Sequence, residues 1–130
     1  MPDRTLANGV SSANSPIGVE LIANNADLLV GRKVLLAAGQ NLLRGALLGR
    51  VTATGAYVLS AAAASDGSQA PVAVLVHDTD ATAAATETLI YERGDFNVAA
   101  MTFGAGHSID STRDALRDGG IYLIKPYGVA

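Results

Sequence analysis

The chain has no cysteine and no tryptophan, and aromatic residues make up only 5% of its 130 residues. The lack of cysteine excludes disulfides and thiolate metal sites. Although the hydrophobic share is 49%, few aromatics means that each buried side chain removes little area from water. A chain of this length buries one modest core. We therefore expect a small single domain that gains stability by oligomerising.

Long apolar runs and a basic stripe are also missing. No apolar run approaches the roughly 20 residues that span a bilayer, and the start of the chain lacks the pattern of a signal peptide. The net charge is -3, and the basic residues between positions 30 and 50 stand among apolar ones: Arg32, Lys33, Arg44 and Arg50. Phosphate-tracking proteins carry basic stripes. We therefore expect a soluble protein with no membrane or nucleic-acid partner.

The first sixteen residues differ from the rest. Met1 to Pro16 holds Asn8-Gly9, several serines and almost no bulky apolar side chains, a composition typical of flexible chain. This predicts a flexible N-terminal arm, residues 1-16, and a single domain over residues 17-130. Ile17 to Val30 has the pattern of two short extended pieces around a turn, and regular structure is expected from about Val34.

Alternating apolar residues predict strands. The clearest signal is a hairpin of Leu47 to Thr52 and Tyr57 to Leu59, because Gly55 between them can take a positive φ. Alternation along Val72 to His77 predicts that its valines share one face. Further strands are expected at Val34 to Ala37, Thr88 to Arg93 and Ile121 to Lys125, with turns or loops at Ala38 to Asn41, Ala61 to Ala70 and Asp78 to Thr86.

Two short helices are also predicted. The first follows a bend at Gly94, is capped by Asp95 and ends near Gly104. The second has Ser111 and Asp114 at capping-box spacing and stops at Gly119-Gly120. Together with the strands, the helices predict a mainly β fold of the α+β class, a small barrel-like domain.

Two polar clusters contain residue types used in catalysis or metal binding. His77, Asp78 and Asp80 lie together, but no further ligand is near them, and such carboxylates commonly hold turns. The other cluster is His107, Ser108 and Asp110, but three residues on one Gly-flanked loop do not form the geometry of a triad. We therefore expect no catalytic residue and no metal site.

Two glycine motifs have similarly simple interpretations. The spacing of Gly39, Gly45 and Gly49 misses the phosphate-loop pattern, so no nucleotide or other cofactor is expected. Arg93-Gly94-Asp95 spells a tripeptide that adhesion receptors recognise, but it falls between the predicted strand and helix, where glycine would make the bend.

The order of several short motifs is more informative than any one of them. They are GALLGRVTATGAYV (Gly45 to Val58), Asp66-Gly67-Ser68, an apolar strand from Pro71, an acidic turn at Asp78 to Thr82, and YERGDF (Tyr91 to Phe96). Over Leu35 to Leu123, their order and spacing resemble the lambda-type bacteriophage head decoration proteins, a family of capsid-stabilising proteins.

The resemblance implies a structural role without catalysis or cofactors. Its members bind the outer surface of the expanded virion capsid as homotrimers, with the major capsid protein as partner, and stabilise the head against the pressure of packaged DNA. It implies synthesis in the host cytoplasm and an arm that pairs with a strand of the shell. The candidate arm contacts are Thr5, Leu6, Ala7 and Val10, and the candidate structural turns are Gly55, Gly67 and Gly94.

A second class remains open. The hairpin also resembles those of lipoyl and biotinyl domains, which would make the chain a carrier-type barrel-hybrid domain of an enzyme complex. Such domains need a lysine at a hairpin tip, and the tips at Ala53 to Ala56 and Asp78 to Thr86 have none. A small enzyme is a more distant third class.

Overall fold

The computed structural model describes residues 20–125, so the predicted arm and its candidate contacts Thr5, Leu6, Ala7 and Val10 lie outside the described residues. Two short 3₁₀ helices, Ala26–Leu28 and Val98–Ala100, accompany the regular elements. The strands and helix are β1 (Ile22–Asn24), β2 (Val30–Leu36), β3 (Gln40–Leu42), β4 (Leu47–Arg50), β5 (Tyr57–Leu59), β6 (Pro71–Leu75), β7 (Thr79–Ala81), β8 (Thr86–Asn97), α1 (Ile109–Asp118) and β9 (Ile121–Ile124).

Five strands form a closed ring in the order β8, β2, β5, β4, β6 and back to β8. Four of the five contacts are antiparallel, and the fifth, between β2 and β5, is parallel. This fifth contact has a single residue pair, Leu36 with Tyr57. The mainly β prediction is therefore confirmed, with a ringed sheet in place of a regular barrel.

The 12-residue strand β8 connects the ring to the rest of the fold. Its first part pairs with β2 and β6 in the ring. Its last part pairs with β1 on one side and, in parallel, with β9 on the other. One strand therefore organises both halves of the domain.

The apolar residues form two cores, one inside the ring and one outside it. The inner core includes Leu36, Leu48, Tyr57, Leu75 and Ile90, all buried. The outer core lies under α1 and β9 and includes Leu47, Val74, Phe96, Leu116 and Ile121. Because successive side chains of a strand point to opposite faces, strands of the ring supply both cores.

In strand β6, burial of both faces leaves consecutive residues apolar, with no alternation of apolar and polar side chains. Ala73, Val74 and Leu75 are all fully buried, whereas Val72 is 45% exposed. The predicted alternation itself holds, because Val74 lies in the outer core whereas Ala73 and Leu75 lie in the inner one. Both faces are apolar because each meets a core.

The predicted hairpin is confirmed, since β4 and β5 pair antiparallel with Arg50 opposite Tyr57. Gly55 in its turn has φ 77°. The closing strand is confirmed as well, with Ile121 and Leu123 buried and Tyr122 exposed between them.

Two short strands replace loops in the prediction. β3 includes Gln40 and Asn41, which were expected in a turn, and it pairs antiparallel with β7, which lies in the predicted loop Asp78 to Thr86. Both strands have three residues and several polar side chains, so they give no alternation signal. Regular structure also starts before Val34, because β1 and most of β2 precede it.

The first predicted helix is wrong. Asp95 lies within β8, opposite Asn24 of β1 and Tyr122 of β9, and caps no helix. A 3₁₀ helix of three residues follows, and the side chain of Asn97 caps it by accepting a hydrogen bond of 2.9 Å from the N–H of Ala99. Gly94 also lies within β8 and makes no bend before a helix.

The second helix is confirmed, but its cap was placed one turn too late. Ser108 is the N-cap, and its side chain and that of Ser111 form the reciprocal hydrogen bonds of a capping box. The helix ends before Gly119 as predicted, and Gly120 has φ 96°.

Candidate functional site

The two aspartates that follow β6 hold the backbone of nearby turns: Asp78 binds the turn before β4, and Asp80 binds its own. Asp78 Oδ1 accepts a hydrogen bond of 2.7 Å from the backbone N–H of Arg44. Asp80 accepts from the hydroxyl and the backbone N–H of Thr82, and these bonds, the hydroxyl first, lower the pKa of Asp80. His77 lies exposed beside them. Within residues 20–125, no group of three or more histidine, cysteine or acidic residues is arranged to hold a metal ion.

The Asp66-Gly67-Ser68 loop has the same kind of hydrogen bonds as Asp80 and Thr82. Asp66 Oδ1 accepts from the hydroxyl and the N–H of Ser68, and these two bonds, the hydroxyl first, lower the pKa of Asp66. Gly67 has φ 102°, and a Cβ there would lie 2.0 Å from Thr52 Oγ1. The loop therefore needs glycine at this position for both its conformation and its close packing.

His107 is not associated with Ser108 and Asp110 as a triad. Its Nε2 lies 3.0 Å from Oγ of Ser60, which is 47 residues away in sequence. Serine and histidine at this distance are the residue types of a nucleophile and its base. However, Ser60 is fully buried and its hydroxyl donates to the carbonyl of Ser68 at 2.7 Å. Nε2 of His107 is therefore the donor to Ser60, and the pair joins the loop between β5 and β6 to the loop before α1 without an accessible nucleophile.

The Arg93-Gly94-Asp95 tripeptide is part of a paired strand and does not form an exposed turn. Gly94 and Asp95 pair with Ile121 and Tyr122 of β9. The carboxylate of Asp95 also accepts a hydrogen bond of 2.8 Å from Nδ2 of Asn25. The tripeptide therefore has a structural role within the sheet.

Strand β2 carries exposed apolar residues. Val30 and Leu35 are 42% and 48% exposed, and the intervening residues are exposed or half-buried. Among residues 20–125, Val30 to Leu35 pairs with β8 alone, so the opposite edge of this segment has no strand beside it. Long exposed edges are unusual in proteins that act as isolated monomers.

One side of β2 and β8 forms a mixed surface, which we call the β2–β8 face and define by Lys33, Leu35, Glu87 and Leu89. Register places Lys33 opposite Leu89 and Leu35 opposite Glu87. Lys33 Nζ lies 3.7 Å from a carboxylate oxygen of Glu87, and Leu89 is 39% exposed. A groove of about 410 Å³ runs from this face to His77 and Asp78.

The sequence prediction did not single out Leu35 or Leu89. Their types fit an ordinary buried strand, and only the pairing of β2 with a strand more than fifty residues later shows that they remain exposed. Glu20 and Lys125, at the two ends of the described residues, line a common groove beside β1.

Comparison with known protein families identifies the family of this chain. A family model described as bacteriophage lambda head decoration protein D matches residues 14–122. The chain belongs to this family. A search of curated individual proteins found no match. The family is one of structural decoration proteins of the phage capsid and not of enzymes, and membership implies a place on the capsid surface of the virion.

A structural role fits the described residues, because the polar side chains of the two aspartate clusters form hydrogen bonds within the chain. The match also begins earlier than the resemblance read from the motifs, which started at Leu35, and it therefore includes β1 and all of β2. In the part of this decoration protein that the structure describes, no helix is long and apolar enough to cross a membrane.

Proposed function

We propose that the protein binds the outside of the expanded phage head as a homotrimer and stabilises the shell against the pressure of packaged DNA. The family match over residues 14–122 carries this proposal. The hydrogen bonds of the polar clusters support it, because Asp66, Asp80 and Ser60 all bind groups of their own chain. A clamp needs a stable body and contact surfaces and has no need of a reaction centre.

Multivalency is the proposed mechanism. A trimer that touches several shell subunits converts each weak contact after the first into an intramolecular one, which raises the overall affinity without any single strong bond. The partners in this proposal are the major capsid protein and two further copies of the chain. Neither nucleic acid nor membrane takes part, no cofactor is bound, and synthesis takes place in the host cytoplasm.

The arm, residues 1-16, is proposed to anchor each copy to the shell. Thr5, Leu6, Ala7 and Val10 would lie in a segment that adds to a strand edge of the major capsid protein, since polar extended chain can offer backbone groups to such an edge. The family match begins at residue 14, so this step rests on the composition of the arm.

The folded body would provide a rigid base for the arm. Gly55 and Gly67 are proposed as its structural turns, with φ of 77° and 102°. Gly94, predicted as a third turn, lies within β8 and is a close-packing position with φ 153°. The carrier alternative has no comparable support, because the turn from Val51 to Ala56 between β4 and β5 lacks the lysine that a prosthetic group would need.

Deleting residues 2–16 tests the function of the arm. We expect the truncated protein to melt like the full chain and to keep its oligomeric state, but to bind expanded, undecorated heads much more weakly, because each trimer loses three anchors. Co-sedimentation measures the binding. The matched control replaces Thr5, Leu6, Ala7 and Val10 with proline, which keeps the length of the arm but removes backbone N–H groups that would pair with the edge, and it should bind as weakly as the deletion.

Full binding by both variants would refute the anchoring role of the arm and assign attachment to the folded domain. Failure of the full chain itself to co-sediment with expanded heads would refute the proposed function as a whole.

A further inference from the structure

We propose that residues 126–130 fold back onto the sheet formed by β1, the last part of β8 and β9, and cover a groove on its exposed side. The family match ends at residue 122, so this segment lies beyond the part of the chain that the family model matches. The contact is within one chain and does not depend on the proposed binding to the head.

The groove, which we call the β9 groove and define by Leu28, Asp95, Tyr122 and Ile124, has a volume of about 350 Å³. Leu28 and Tyr122 are 51% and 43% exposed, and Ile124 is half-buried. Tyr122 and Ile124 share one side of β9, because the residues between and before them point into the outer core. Exposed apolar side chains that line one groove form a patch of the kind that another segment covers.

The path of the chain favours residues 126–130 as that segment. Ile124 lines the β9 groove, and together with Lys125 it also lines the neighbouring groove beside β1. The next five residues therefore begin at the edge of the β9 groove. Five residues reach up to about 17 Å when extended, and Tyr122 lies only two residues before Ile124, about 7 Å along the strand. The segment is therefore long enough to return over Tyr122.

The sequence after β9 also has the signal for a reversal. In Lys125-Pro126-Tyr127-Gly128, proline is the second residue and glycine the fourth, which is typical of a type I β-turn. A turn at this point directs the following residues, beginning with Val129, back along β9. The reversal thus brings apolar side chains toward the β9 groove.

The composition of the segment fits the groove. Residues 126–130 carry no charge, and Tyr127 and Val129 supply apolar side chains. The groove has one positive and one negative side chain, Arg93 and Asp95, so a neutral segment adds no unpaired charge to it. The predicted N-terminal arm, residues 1–16, has almost no bulky apolar side chains. The observations therefore favour residues 126–130 over the arm.

A single introduced thiol can test this contact, because the chain has no cysteine. Leu28→Cys places the thiol in the β9 groove, and its rate of reaction with iodoacetamide measures how well the groove is covered. We expect this rate to rise at least about fivefold when Tyr127 and Val129 are both replaced by aspartate, because charged side chains leave an apolar groove. Tyr127→Phe with Val129→Ile is the matched pair and should keep the slow rate.

Two further measurements separate this contact from a general effect on the fold. Leu43→Cys places a thiol at a residue that is 65% exposed in the turn between β3 and β4, and its rate should be the same with every form of the segment. Ending the chain after Lys125 should accelerate the thiol at position 28 as much as the two aspartates do.

Equal rates at position 28 with the natural segment, the two aspartates and the shortened chain would overturn the inference. Equal acceleration at position 43 would overturn it as well, because the segment would then support the whole fold. A rate at position 28 that rises only on deletion of residues 2–16 would assign the groove to the arm. A rate that falls as the protein concentration rises would assign it to another copy of the chain, and either result would refute the proposal.

Discussion

Gly94 illustrates how a single residue can combine two constraints within a regular strand. Its φ is 153°, and a Cβ there would lie 2.4 Å from Cδ2 of Leu29 and 2.9 Å from Cζ of Phe96. Phe96 is fully buried in the outer core, so its ring has little room to move. Gly94 is therefore required by both its backbone conformation and its packing, and the strand continues through it without a bend.

Replacement of Gly94 by alanine should lower the free energy of unfolding by about 1 to 3 kcal/mol, through backbone strain and crowding of the core. Gly31→Ala in β2 is the control, because its Cβ would have one ordinary contact, at 3.5 Å from the carbonyl oxygen of Ile90. Urea unfolding of both variants measures the difference. Equal losses would show that any added methyl in this sheet is costly and that Gly94 has no special role.

Among the elements, α1 depends on Ser108, the residue that caps its start. The side chain of Ser108 accepts from the N–H of Ser111, and the hydroxyl of Ser111 accepts from the N–H of Ser108. The carbonyl of Ser108 also accepts a bond of 2.7 Å from Thr112, which is buried. The cap thus aligns the helix that covers the outer core.

Ser108→Ala should cost about 1 kcal/mol of stability, because an N–H at the start of the helix loses its acceptor. Ser108→Asp keeps an acceptor and adds a charge favourable at a helix N-terminus, so it should stay close to the wild type. Chemical denaturation compares the two. If aspartate destabilises as much as alanine, the cap does not determine the stability of α1.

Local signals in the sequence predicted the local elements. The hairpin of β4 and β5 has its turn glycine within the motif, and the end of α1 has Gly119-Gly120. The start of α1 was misplaced because the prediction sought an acidic residue three positions after the cap, whereas the hydroxyl of Ser111 takes that role. The continuation of β8 through Gly94 and Asp95 depends on pairing with β9, which no local pattern shows.

The Ser60–His107 pair and the exposure of Leu35 could not be predicted from the sequence. Ser60 and His107 are brought together across 47 residues, and neither has a local partner that would mark the pair. Leu35 looks like a core residue in the sequence, yet it is half exposed, and within residues 20–125 its part of β2 pairs with β8 alone. Such properties arise from long-range packing, so the spacing of residue types does not contain them.

At the scale of the whole molecule, the ring has one narrow junction. β2 and β5 share a single residue pair, and the N–H of Ala37 adds a hydrogen bond of 2.9 Å to the carbonyl of Tyr57. The side chains reinforce this junction, since Nη2 of Arg32 donates to the hydroxyl of Tyr57 at 3.0 Å. Tyr57 therefore closes the ring with both its backbone and its phenol.

Tyr57→Phe should lower stability by about 0.5 to 1.5 kcal/mol, the usual net contribution of one hydrogen bond. Tyr122→Phe is the control, because Tyr122 is 43% exposed and has no side-chain hydrogen bond among the described residues; it should be nearly neutral. Denaturant unfolding gives the free energies, and amide hydrogen exchange at Ala37 should accelerate in Tyr57→Phe alone. Unchanged exchange at Ala37 would show that the phenol does not hold the junction.

The central position of β8 also determines when the chain can fold during its synthesis. β1, β2 and β6 all pair with β8, and the contacts of β1 and β2 join residues that are fifty or more positions apart. A growing chain that has not reached Thr86 has no partner for β1 or for most of β2, and neither core can close. Contacts of such long range slow folding because the intervening chain must first lose its freedom. Folding therefore waits until β8 has been made, and the outer core closes only when α1 and β9 have followed it.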